Sequence, residues 1–161
     1  MRPRFVADSM LGRLARWLRA FGFDVHYHPF ADDHQIVATA RERGAIVLTR
    51  DTRFPDPPDV RIIFIDEDHG EEQLAQLVRD APLDLGEAPA LTRCTVCNEP
   101  LAPATRDEVW DRLPPFVYLT HETYARCVGC GRVYWEGTHA PRIRRTLARL
   151  VGDTGRTGRR G

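Results

Sequence analysis

Apolar and polar positions fall into short blocks along the first half of the chain. Three apolar runs end on charge: RFVAD at residues 4–8, AIVLT at 45–49 followed by Arg50 and Asp51, and RIIFID at 61–66. Runs of this length, bounded by polar residues, read as buried strands, and DVHYH at 24–28 reads as another. Between them the period lengthens. Met10, Leu11, Leu14, Trp17, Leu18 and Phe21 recur at helical spacing, with Arg13, Arg16 and Arg19 on the opposite side. The pattern predicts a helix from about Met10 to Phe21, capped by Ser9 and stopped at Gly22. DHQIVATARERG predicts a second helix, begun by Asp32 or Asp33 and stopped at Gly44, and GEEQLAQLVRD predicts a third.

Strand and helix in alternation, with short links, imply an α/β fold: a parallel sheet with helices on both faces. Ligands of such open sheets sit beyond the carboxyl ends of the strands. Asp8, Asp51 and Asp66 stand at those ends, and Asp32 and Asp33 stand close to the same edge. A second composition begins after a Pro-, Ala- and Leu-rich stretch, with cysteines, aromatics and short strands. The expected organisation is a first domain at 1–80, a linker at 81–93, a cysteine module with a basic C-terminal helix at 94–150, and a disordered tail at 151–161.

The totals change this picture at a few points. The chain has 161 residues, 42% of them hydrophobic, which suits a folded core, and its formal net charge is zero. All 23 basic residues are arginine. The absence of lysine excludes Walker-type phosphate loops, Schiff-base chemistry and the lysine-assisted phosphoaspartate chemistry that also uses strand-end aspartates. Charge concentrates near the C-terminus, where seven arginines from Arg142 onward face one acid, Asp153. No apolar run is long enough to span a bilayer, and the N-terminus has no signal-peptide profile. With the cysteine usage below, a cytoplasmic protein with no membrane partner is expected.

Two groups of residues carry chemistry. Carboxylates crowded at one rim repel each other unless a cation neutralises them, and the hard ions Mg²⁺ and Mn²⁺ prefer oxygen ligands. That combination suits phosphodiester hydrolysis, with Arg13 or Arg50 placed to bind a substrate phosphate. The same acids also serve as solvated strand ends, as a helix cap at Asp33 or as a turn at Asp51. The second group is CTVC and CVGC, holding Cys94, Cys97, Cys127 and Cys130. Paired Cys-x-x-Cys turns favour a tetrahedral structural Zn²⁺ over a redox dithiol or an iron site. Tyr134 and Trp135 nearby either stack on bases or form the small core of that module, and His139 follows them.

VADSMLGRLARWLRAFGFDV, DDHQIVATARERGAIVLTRD, RCTVCNEPL and CVGCGRVYWEGTH resemble, in this order, the Mut-seven C-terminal RNase domain family. The resemblance covers residues 5–147. It implies a PIN-like nuclease fold with a C-terminal zinc ribbon, and a metal-dependent ribonuclease acting on RNA. The family's acids carry over as Asp8, Asp33 and Asp51, with Asp32 as the substitute for Asp33 and Asp66 or Asp68 as the candidate for a fourth acid. The competing expectation is a non-catalytic RNA-binding adaptor that works through its zinc ribbon and arginines.

Overall fold

Phe5–Ala7 is buried along its whole length and forms β1, the centre of a parallel sheet. A computed structural model of the chain describes residues 2–81, 83, 92–135, 145, 148 and 149. β2 (Val25–Tyr27), β3 (Ile46–Thr49) and β4 (Ile62–Phe64) complete the sheet in the order β2-β1-β3-β4, with every pairing parallel. Side chains alternate across it. Phe5, Ala7, Leu48 and Ile63 face one cluster, whereas Val6 and Val47 face another.

α1 (Gly12–Ala20) and α3 (Gly70–Asp80) cover the first face, through Leu14, Leu18, Leu74 and Leu77. α2 (Asp33–Arg43) covers the second through Ile36, Val37 and Ala40. The expected parallel sheet between helical layers is therefore present. Two details at the first helix differ. Asp8, not Ser9, caps the 3-10 turn Ser9–Leu11 that leads into α1, because its side chain accepts from the Met10 N–H. Met10, expected in the core, is 64% exposed.

A second, antiparallel sheet follows, with β5 (Leu101–Ala104), β6 (Tyr124–Cys127) and β7 (Val133–Trp135) in the order β5-β6-β7. The short helices α4 (Arg106–Val109) and α5 (Pro115–Thr120) lie between β5 and β6. Its small core gathers Val109, Val117 and Tyr124, with Trp135 packed against them. The stretch expected as a linker, 81–93, is mostly outside the described residues, although Ala81 and Leu83 within it are buried against the first core. Most of the expected basic C-terminal helix, His139 and the tail at 151–161 also lie outside the described residues.

The two sheets meet at the open edge of β2, where an uncovered strand would expose unpaired backbone groups. The Asn98 side chain accepts from the Val25 N–H at 3.0 Å and donates to Asp24 at 2.7 Å. Asn98 adopts the left-handed backbone conformation, φ 71°, that turns the chain toward this edge. Arg19, expected on a solvated face, is instead 5% exposed. Its guanidinium donates twice to the Val25 carbonyl and reaches the Thr95 and Val96 carbonyls at 3.1 Å each. Burial disfavours the charge, and nearby Cys94, Cys97 and Asp24 offset part of that cost.

Arg19→Met should therefore lower unfolding free energy by about 2–4 kcal/mol, since three carbonyls lose a charged donor. Arg16→Met, on the exposed side of the same helix, should change it by less than about 0.5 kcal/mol. Urea titration of both variants checks this, and equal losses would remove Arg19 from the junction.

Candidate functional site

The strand order reverses between β1 and β3: the chain leaves β1 toward β2 on one side and returns to β3 on the other. Loops diverge at such a switch point and leave a crevice at the carboxyl ends. A cleft of about 280 Å³ occupies this place, lined by Asp8, Asp33, Arg50 and Asp51, with Met10 and Ile36 on its walls. Asp8 follows β1, Asp51 lies two residues beyond β3, and Asp33 opens α2. The fold thus brings the three expected carboxylates to one cavity.

Their surroundings differ. Asp8 is 6% exposed, so its carboxylate needs partners. One oxygen accepts from the Met10 N–H at 3.0 Å; the other accepts from the Thr49 hydroxyl at 2.5 Å and the Arg50 N–H at 3.1 Å. Thr49 in turn accepts from the Asp51 N–H at 3.0 Å, so one hydroxyl links two of the acids. Asp51 accepts from the Arg53 N–H at 2.9 Å and shapes the turn after β3, as one of the open readings had it. The Asp33 carboxylate accepts from no described residue.

The choice between Asp32 and Asp33 is resolved by a capping box. Asp32 accepts from the Gln35 N–H at 2.8 Å while the Gln35 side chain accepts from the Asp32 N–H at 2.9 Å. Asp32, not Asp33, is therefore the helix cap, and Asp33 is left to face the cleft. Asp66 is not part of the cleft wall: it is exposed, and its N–H donates to Gln76. Arg50 lines the cleft, but its guanidinium is held by Asp68 at 2.5 Å and by the carbonyls of Ile65 and Asp66. This guanidinium thereby braces the ends of β3 and β4. Arg13 lies in a neighbouring cleft along α1, outside the one that holds the acids.

The cysteines converge more closely. Their four sulfurs all lie within 4.8 Å of one another, and no other group of potential ligands among the described residues does so. Cys94 and Cys130 are 3.7 Å apart, and Cys97 and Cys127 are 3.3 Å apart. These are not disulfides, whose sulfurs bond at about 2.0 Å. A tetrahedron with Zn–S of about 2.3 Å has edges of about 3.8 Å, so the spacing fits zinc. Burial resists ionisation of Cys94, yet the Tyr134 hydroxyl at 3.0 Å and the N–H groups of Cys97 and Val96 outweigh it and bring the thiol down to about 6. The Glu99 N–H favours the Cys97 thiolate, but burial and the three neighbouring sulfurs push it up to about 12. Four thiolates this close require a cation between them.

The Mut7-C RNAse domain family profile matches residues 3–147. The chain belongs to the Mut7-C RNase domain family. No curated protein and no solved structure shows a significant match to it. Membership implies a ribonuclease with an RNA substrate. No helix among the described residues of this Mut7-C domain is long and apolar enough to cross a membrane.

Within the Mut7-C domain, Thr49 has no role in the sequence reading, and Tyr134 has none there toward the cysteines. Thr49 carried a signal, a hydroxyl closing an apolar strand just before Arg50 and Asp51. Tyr134, expected to stack on bases or to pack in the core, also contacts Cys94 through its hydroxyl, which accepts from the Thr95 N–H at 3.2 Å. The cysteine cluster predicts about one equivalent of zinc per chain by metal analysis. Cys94→Ala should lower that content and the thermal midpoint together, and full zinc retention would rule out four-cysteine coordination.

Proposed function

We propose that the chain is a divalent-metal-dependent ribonuclease whose Mg²⁺ or Mn²⁺ is held by Asp8, Asp33 and Asp51. The observation that carries this reading is the single cleft lined by all three carboxylates at the switch point of the sheet. This suits Mg²⁺, which keeps several waters and binds through few carboxylates together with substrate phosphates. When bound, such an ion neutralises charge developing on a phosphodiester and makes water a better nucleophile.

The chain's own residues divide the remaining work. A carboxylate has about four acceptor positions. Asp8 spends three of them on Met10, Thr49 and Arg50, so it is a fixed ligand with little spare capacity. Asp51 spends one, and Asp33 spends none on described residues. Asp33 and Asp51 therefore supply most of the capacity for a hydrated ion. Thr49 and the Arg50 backbone set the position of Asp8, and the Arg50 side chain braces the rim from behind. Zinc at the four cysteines is structural in this scheme, because the thiolates fill its coordination. Cysteines committed to a metal rather than to disulfides suit a reducing compartment such as the cytoplasm.

Asp33→Asn is the cleanest test, since no described hydrogen bond is lost. RNA cleavage in Mn²⁺ should fall by at least about a hundredfold with circular dichroism and thermal midpoint unchanged. Asp51→Asn should behave alike, its amide oxygen still accepting from Arg53. Cleavage at the parent rate by both variants would sink the aspartate mechanism, and RNA binding with no cleavage by the parent would favour the adaptor.

A further inference from the structure

α1 carries Arg13, Arg16 and Arg19 and no acid. Arg19 is consumed at the junction of the two sheets. The side chains of Arg13 and Arg16 are exposed and make no hydrogen bond or ion pair with any described residue. A helix face that keeps two cations and matches neither invites an anion. These arginines line a cleft of about 340 Å³ with Gly12, Tyr27 and Val96.

That cleft has neighbours at both ends. The aspartate cleft is lined by Ser9 and Met10, directly before Gly12 and Arg13 in the chain. Tyr27 spans the step, since its hydroxyl donates to the Ser9 carbonyl at 3.0 Å. Its ring lies so close to Gly12 that a Cβ there would meet the hydroxyl at 2.9 Å, so glycine lets Tyr27 seat against the start of α1. At the far end Val96, 42% exposed on the first cysteine turn, also lines a third cleft, of about 480 Å³, that contains Arg132. The Arg132 side chain is exposed and makes no hydrogen bond or ion pair with any described residue.

We propose that single-stranded RNA runs from the aspartate cleft along α1 to the first cysteine turn, with its phosphates on Arg13, Arg16 and Arg132 and a base against Val96. This rests on the ribonuclease reading and adds the path of the substrate. Arginine forks suit phosphate oxygens, and an exposed apolar tip accepts a base face without regard to sequence. Clefts of this size take one strand, whereas a duplex is recognised across an open minor groove. The cysteine module, fixed by Arg19 and Asn98, would thus form one wall of the path.

The test is fluorescence anisotropy with a labelled single-stranded oligoribonucleotide of about 12 nucleotides, over a salt series without added Mg²⁺ or Mn²⁺. Arg13→Gln/Arg16→Gln should bind about tenfold more weakly near 0.1 M salt, with the salt slope reduced by about 1.4. Arg132→Gln should reduce the slope by about 0.7. Mn²⁺ binding by these variants should match the parent. Parent-like affinity and slope in the double variant would overturn the path, as would stronger binding of duplex than of single strand. Failure of the two readings can be told apart. A parent that never cleaves but loses binding with these arginines keeps the path and loses the nuclease; parent-like binding and cleavage by the double variant does the reverse.

Discussion

The carboxylate of Asp8 ties together the ends of β1 and β3. It is buried, and burying a charge is costly unless donors surround it. Those donors are the Met10 N–H on its own turn, and the Thr49 hydroxyl and Arg50 N–H across the sheet. The same bonds start the turn into α1, hold the strand-end loop after β3 and fix where the other acids stand. The Asp8 N–H also donates to the Leu48 carbonyl at 3.0 Å, extending the β1–β3 pairing to the edge of the cleft. Fold and candidate site therefore share one polar anchor, and a residue read as a ligand is also structural.

A comparable economy governs the junction of the two sheets. The edge of β2 is closed by Asn98 and Arg19 acting on the backbone of one residue, Val25. Arg19 also gathers the Thr95 and Val96 carbonyls, which lie between Cys94 and Cys97. The order of the cysteine turn is in this way coupled to the sheet. Whatever holds that turn also supports a strand in the other layer, so the ribbon is packed onto the sheet rather than tethered to it.

Much of this was legible from residue pattern. Strands ending on aspartate, helices stopped by Gly22 and Gly44, and two Cys-x-x-Cys turns gave the layers, the rim and the cysteine cluster. The misreadings have physical causes. Ser9 looked like a cap by type, but Asp8, placed at the end of β1, reaches the Met10 N–H. The role of Asp32 was available in its spacing to Gln35, which forms a capping box that Asp33 and Ile36 cannot form. Arg19 sat on the polar side of a helical wheel, and periodicity does not reveal that this side meets a second layer instead of water. Arg50 stands beside Asp51 in sequence, and residue order does not reveal that its long side chain also reaches Asp68 and the end of β4.

The central claim is that a divalent ion is held where β1, β3 and α2 converge. Paramagnetic broadening of backbone amide signals on Mn²⁺ titration locates such an ion directly. The account predicts the strongest broadening at residues 8–11, 33–34 and 50–52, with little effect on the cysteine turns. Broadening centred on Asp66 and Asp68, or spread evenly over the acidic surface, would contradict it.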